Sequence, residues 1–451
     1  MFPSSRVSPL ASFACCAILL GSAGTVHAAE PEPERITILN QYLSGVKEQR
    51  WADALPPAQR LLDLAEKENP RSQQMVEALT RVGGVQFALR EYDSAEQSFY
   101  TAVQLAEKLS GPLDSSLEEP LRGLGYTLAA TDRHAEAVGI LERALLLSQR
   151  HNGLFDMSQR GLRQQLGNSL SELQRFSEAA QQYRFILQTA EQAFGADDVR
   201  VAETLDLVAD WHARWGYMEI GRDLYRRAIT LLETKAGPLD ARLINPLRSL
   251  ARSYNRELLF ASVGRAPINA DGTAGQILRR NRLPAEGEEA LLRALAVMEA
   301  TGRQETLAYR QALIDTGDWF LLKENEPEAL KYYRRALQLP VAASAASAAA
   351  VAGDPLSFPA PLDYLYPPVA RRFTDRPADK VTERQLVAEF TVTRSGAVKD
   401  PRIVESDATE RMERETLASL REALYRPRFE NGEPVDTPNV RYQQTFRELK
   451  N

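Results

Sequence analysis

The hydrophobic rhythm of the chain changes near Pro340. Before it, apolar side chains recur at three- and four-residue intervals, the period of amphipathic helices, as in "LGNSLSELQRFSEAAQQYRFIL" (166–187). After it the period is two. In "LVAEFTVT" (386–393), Leu386, Ala388, Phe390 and Val392 alternate with mostly polar neighbours, which predicts a half-buried strand. "RSGAV" turns the chain and "PRIVES" (401–406) is a second strand, bulged or at a sheet edge because Pro401 has no N–H to donate. "ATERMERETLASLREAL" (408–424) is an amphipathic helix with Met412, Thr416, Leu417, Leu420 and Leu424 on one stripe. "NGEP" turns again, and "NVRYQQTF" (439–446) is a third strand with Val440, Tyr442 and Phe446 facing inward. The pattern predicts a mainly α region over 36–340, an Ala/Ser/Pro-rich linker over 341–361, and a small α+β (ββαβ) module over 362–451.

The helical region repeats. Small residues stand 42 positions apart at Gly83, Gly125, Gly167, Ala209 and Ala251, and another falls at Gly317. All but Ala251 are followed twelve residues later by a second small one: Ala95, Ala137, Ala179, Gly221 and Ala329. Four further on comes a bulky residue (Phe99, Leu141, Tyr183, Tyr225, Tyr333). Antiparallel helices approach closely only where no side chain fills the crossing, so a small residue on each supplies that crossing. The bulky residue, one turn on, is placed to pack against the next pair, and no pair can bury both its faces without stacking. The arrangement resembles the tetratricopeptide (TPR) repeat in a 42-residue form, with about seven repeats including a weak first one around "WADALPPAQRLL" (51–62). The implied fold is a TPR α-α superhelix.

Two irregularities stand out. "GPLD" occurs at Gly111 and again at Gly237, where one repeat's last helix stops and the next has yet to start: Gly suits the position after a helix end and Pro cannot continue a helix. Ala251 meets its partner only at Ala290, so an insert of some 27 residues (about 257–284) splits repeat six. A loop of that length is either functional or disordered.

The amino terminus carries Arg6 as its only charge before Glu30, an apolar "ASFACCAILL" and a small-residue "VHAA" end. Residues 1–29 read as a cleavable signal peptide, the apolar core being shorter than the ~20 residues of a spanning helix. The other reading is an uncleaved inner-membrane anchor facing the periplasm. Cleavage removes Cys15 and Cys16, the chain's only 2 cysteines, and with them any disulfide, thiolate metal site or cysteine nucleophile. A net charge of −6 argues against a general nucleic-acid binder. His134, His151 and His212 lack a second histidine or carboxylate at metal-ligand spacing, and no nucleophile elbow or phosphate loop is present. The expectation is therefore a protein that is not an enzyme and has no cofactor.

Within the repeats, Arg248, Arg252 and Arg256 share one helix face at i, i+4 and i+8. They form either a basic stripe for an acidic peptide or the cationic half of pairs with Asp206 and Asp210, which lie 42 residues before Arg248 and Arg252. Arg256 has Arg214 as its counterpart and is the better groove candidate.

The carboxy-terminal order, with "YPPVA" (366–370), "VAEFTVTRSGAVKDPRIVES" (387–406) and "YRPRFENGEPV" (425–435), resembles the C-terminal domain of the TonB energy transducers. The resemblance implies that the last strand pairs with a short segment of an outer-membrane receptor by adding it to the sheet edge, with a Tyr-Pro segment nearby. Carried onto this chain, the partner-binding residues are Tyr366, Pro367 and the strand Asn439, Val440, Arg441, Tyr442, Gln443, Gln444, Thr445 and Phe446. The alternative is that Tyr442 and Phe446 are core and the edge is unused. The whole reads as an exported periplasmic scaffold of a Gram-negative envelope, with protein or peptide partners, or else as a TonB-type transport component coupling inner membrane to receptor.

Overall fold

The computed structural model describes residues 33–262, 283–339, 354–363 and 381–449. Two compact units divide the chain, one ending at Ala196 and the other starting at Asp197. The proposed signal peptide, most of the insert in repeat six, and Tyr366 and Pro367 lie outside the described residues.

The first unit is four antiparallel helical hairpins: α1 (Pro33–Lys47) with α2 (Trp51–Glu68), α3 (Gln73–Ala88) with α4 (Tyr92–Ser110), α5 (Glu118–Ala130) with α6 (His134–Asn152), and α7 (Arg160–Glu172) with α8 (Phe176–Phe194). Each hairpin's second helix packs on the next hairpin's first. The crossing chemistry differs from the sequence expectation in one respect. The bulky residue sixteen after each glycine packs first on that glycine, inside its own hairpin. A Cβ added to Gly83, Gly125 or Gly167 would stand 3.0, 2.6 or 2.7 Å from Phe99, Leu141 or Tyr183. Phe99 also faces the next hairpin, where a Cβ on Gly123 would come within 2.3 Å of its ring. One aromatic thus closes its own hairpin and joins it to the following one.

The turns inside the hairpins share a left-handed residue: Arg90, Asp132 and Gln174 have φ of 65°, 60° and 61°. The N–H after each one reaches back to a carbonyl five residues earlier, for example Arg175 to Leu170 at 2.8 Å, closing the Schellman pattern. Between hairpins, Gly111, Gly153, Gly195 and Gly237 adopt φ of 86° to 98°. Three residues on, Asp114, Asp156, Asp198 and Asp240 cap a single 3₁₀ turn that starts the next first helix.

The second unit opens with three more hairpins: α9 (Ala202–Arg214) with α10 (Met218–Ala236), α11 (Ile244–Ser262) with α12 (Ala285–Ala300), and α13 (Leu307–Leu322) with α14 (Glu326–Leu337). In hairpin five the crossing is small on small, as the sequence suggests: a Cβ on Gly221 would meet the Ala209 carbonyl at 3.0 Å. The insert does not begin as loop. Residues 257–262 continue α11, with Glu257 buried and ion-paired to Arg222, and Leu258 buried.

The carboxy-terminal module follows the expected ββαβ order. Strands β2 (Val381–Val392), β3 (Val398–Ser406) and β7 (Thr437–Leu449) form a sheet in the order β3-β2-β7, with α15 (Glu410–Glu422) against one face. Leu386, Ala388, Phe390, Val392, Met412, Leu420, Tyr425 and Phe446 fill the core between them. β3 is an edge strand and its register slips between the Glu389 and Thr391 pairings, at Asp400-Pro401, so the proline sits in a bulge at an edge. Short strands β1 (Ala360–Asp363), β4 (Leu424–Arg426), β5 (Arg428–Glu430) and β6 (Glu433–Val435) complete the module, β1 pairing with β4 and β5 with β6. Asn431-Gly432, with φ of 50° and 85°, makes the tight turn read in "NGEP". The 341–361 linker expectation fails at its far end: Leu356 is fully buried, its carbonyl accepts from the Phe429 N–H at 2.9 Å, and Ala360 and Pro361 already belong to β1.

Candidate protein-binding surfaces

Along β7, side chains alternate as the sequence predicts. Phe446 is buried in the core and Val440 and Tyr442 pack against it. Gln444 is fully buried as well, accepting from the Tyr442 hydroxyl at 2.6 Å and donating to the Thr445 carbonyl at 2.8 Å, so an amide occupies a position that the inward pattern skipped. Arg441, Gln443 and Thr445 face the other side, where Gln443 donates to Gln385 at 3.1 Å and Arg441 reaches Glu389 at 3.4 Å. Asn439, at the start of this stretch, has a left-handed φ of 58°.

The direction of the backbone matters more. The Gln385 N–H donates to the Asp407 carboxylate and its carbonyl accepts from the Asp407 N–H, so both point to the β3 side. Backbone groups alternate sides along a strand, so those of Leu386 and Ala388 point to β7, toward their partners Gln444 and Tyr442. The same alternation turns the N–H and C=O of Arg441, Gln443 and Thr445 away from β2. Among the described residues no strand pairs with that side of β7. It is an open ladder of donors and acceptors.

The arginine stripe is neither a free basic face nor paired throughout with Asp206 and Asp210. Arg248 is buried, 8% exposed, and donates to Asp315 of α13 at 2.9 Å, and Arg252 pairs with the same carboxylate at 2.8 Å. Both thus turn forward to hairpin seven, not back to Asp206 and Asp210. Burial pushes the Asp315 carboxyl up, but Arg252 and Arg248 outweigh it and hold the group below its usual range. Asp206 is a poor counter-charge: burial first, then Asp210 beside it, push its carboxyl up to about 7. Arg256 pairs with Asp210 at 3.3 Å, and Asp210 also holds Arg214 at 2.8 Å, so the two arginines that looked unmatched share one acid. Arg252 and Arg256 keep partly exposed heads; Arg248 does not.

A third polar cluster joins the module to hairpin seven. Arg426 donates from Nε and Nη2 to the two carboxylate oxygens of Asp318, at 2.8 and 3.0 Å, and from Nη1 to the Pro355 carbonyl at 3.1 Å. The Tyr333 hydroxyl donates to the same Asp318 at 2.8 Å. Burial alone would push the Arg426 guanidinium down; the Asp318 carboxylate holds it above its ordinary value. Beside this pair Arg310 donates to Asp354 at 2.7 Å, and the rings of Tyr333 and Phe429 stand 5.1 Å apart.

Residues 74–150 match a tetratricopeptide repeat family model, and residues 380–446 match that of the Gram-negative bacterial TonB protein C-terminal. The chain carries tetratricopeptide repeats and a TonB-type C-terminal domain. Similar solved structures include BtubC from P. vanneervenii, 17% identical over 59% of this chain and 92% of that one, with a TM-score of 0.40. A Podosopora anserina putative kinesin light chain with nearly identical TPR-like repeats is 12% identical over 51% and 99%, at 0.41. A tetratricopeptide repeat protein from Parabacteroides merdae is 12% identical over 68% and 94%, at 0.39. No curated protein matches the chain.

Sequence reading missed three features of the TPR hairpins and the TonB-like domain. The aspartates at 114, 156, 198 and 240 keep the 42-residue period and could have been found as joint caps. Gln444 had no signal, because a buried amide looks like any polar residue in an alternating strand. Asp318 and Arg426 lie 108 residues apart, and no local pattern pairs them. Among the described residues no group of three or more His, Cys, Asp or Glu is placed to hold a metal ion, and no helix is long and apolar enough to cross a membrane.

Proposed function

We propose that the chain is an exported, non-catalytic interaction scaffold of a Gram-negative envelope, its repeats holding one protein partner and its TonB-like domain another. The single observation that carries this reading is the open side of β7, where the backbone groups of Arg441, Gln443 and Thr445 are directed away from β2. An extended peptide laid there would continue the β3-β2-β7 sheet by one strand, main-chain bonds giving affinity. The charged ladder of Arg441 and Glu389 on the outer face would set register. In the repeats, Arg252 and Arg256 are the side chains with heads free enough to take an acidic group, in competition with Asp315 and Asp210. Tyr366 and Pro367 are proposed as neighbours of the added strand on the family resemblance.

Gln443→Pro tests the reading. It removes an outward N–H while leaving the bonds between β2 and β7 in place. Envelope proteins crosslinked to the full chain in intact cells should fall at least about tenfold on this substitution, with unchanged far-ultraviolet circular dichroism. Unchanged crosslinking would end the strand-addition reading. A second reading, an energy transducer, is favoured by the match of residues 380–446 to the TonB family. Recovery of the chain from membrane fractions with Met1 to Glu30 retained would select it over the scaffold.

A further inference from the structure

The geometry points to the TonB-like domain being the terminal cap of the repeat array, latched to the last hairpin by the Asp318–Arg426 pair and not carried on a free tether. In the second hairpin the bulky residue has two neighbours: its own hairpin's glycine and a residue of the next repeat. Phe99 lies between Gly83 and Gly123 in this way. In the last hairpin Tyr333 has its own Gly317 on one side, where an added Cβ would stand 2.6 Å from the ring. On the other side is Phe429 of β5, at 5.1 Å between ring centres. The domain supplies the partner that an eighth repeat would have brought.

The burial of α13 agrees. From Tyr309 to Leu322 every residue except Gln311 is buried. The first helix of a last repeat has no following repeat to cover it, and terminal repeats of solenoids need a cap for that reason. Here β1 lies against α11 and α13, β4 lies against α13, and Leu356 is buried beneath them. Arg310 of α13 is tied to Asp354 just before this stretch. The contact is apolar at Phe429 and Leu356 and ionic at its centre, with both charged groups almost fully buried and the fork of Arg426 matched to both carboxylate oxygens. A buried pair of this kind fixes geometry, because either member alone is stranded.

The consequence is that "YRPRF" (425–429), part of the stretch that resembles TonB, is engaged inside this chain. Among the described residues the outer edge of β7 stays unpaired, on a domain fixed to the last hairpin. The inference stands whether or not β7 receives a partner.

The test is a double-mutant cycle read by amide hydrogen exchange on the full chain. Asp318→Ala and Arg426→Ala should each speed exchange in both α13–α14 and β4–β6 by about tenfold or more, with the double variant no faster than either single one and the β2–β7 ladder still protected. Exchange that rises only on the mutated side, or effects that multiply in the double variant, would overturn the latch. If Arg426→Ala also melts the ladder, Arg426→Lys, which keeps the charge but loses the fork, replaces it in the cycle and the same two outcomes decide.

Discussion

Hairpins four and seven carry one constellation with a single change. In hairpin four it is Gly167, Asn168 and Tyr183; in hairpin seven, Gly317, Asp318 and Tyr333. The tyrosine ring covers the glycine in both, at 2.7 and 2.6 Å from where a Cβ would stand. Its hydroxyl donates to the neighbouring side chain in both, at 2.7 Å to Asn168 and 2.8 Å to Asp318. There the neutral amide oxygen has its donor. The carboxylate, nearly sealed from water, is not satisfied by that donor alone, because a buried charge needs an opposite one. Arg426 answers it. In hairpin seven the acceptor beside the crossing glycine is charged, and its counter-charge comes from the separate domain.

The comparison can be broken by exchanging the two side chains. Asp318→Asn leaves Arg426 buried against a neutral amide and should cost about 3 kcal/mol. Asn168→Asp only replaces one acceptor of the Tyr183 hydroxyl by another and should cost under about 1 kcal/mol. Urea midpoints of the two variants measure the asymmetry, and equal losses would mean that hairpin seven gains nothing particular from its charge. Next come the shared glycines. Gly167→Ala and Gly317→Ala should each destabilise by roughly 1–3 kcal/mol, since the new methyl overlaps an aromatic ring that has no room to move. Similar values at both sites are expected from thermal unfolding; a large difference would show that the rings are not equivalently held. The smallest effect lies in the turns. Gln174 and Glu324 both have φ of 61°, which costs an L-residue about 1 kcal/mol, so Gln174→Gly and Glu324→Gly should each stabilise by a few tenths of a kcal/mol up to about 1. Loss of stability at either site would contradict the left-handed geometry.

Much of this was legible along the chain. The 42-residue spacing of Gly83, Gly125 and Gly167 marked the hairpins because a missing side chain at a helix crossing leaves a trace at a fixed interval. The alternation from Leu386 to Val392 marked the central strand because one face of the sheet is buried. The partners of Arg248 and Arg252 were not legible. Position alone offered Asp206 and Asp210 on one side, whereas burial and like-charge neighbours make Asp206 a weak acid and leave Asp315 to receive both arginines. The insert was half legible, since nothing in residues 257–262 distinguished a helix running on from a loop.

What the sequence determined by itself was everything set by local repetition: helical hairpins, their joints, a ββαβ module and its inward residues, all consequences of period, backbone conformation and side-chain size. Tertiary structure alone decided which charge meets which, the doubled role of Phe99, and the covering of the last hairpin by the module. Those outcomes depend on burial and on groups far apart in the chain, and the free energy of a charge or an aromatic ring is fixed only once its surroundings are complete.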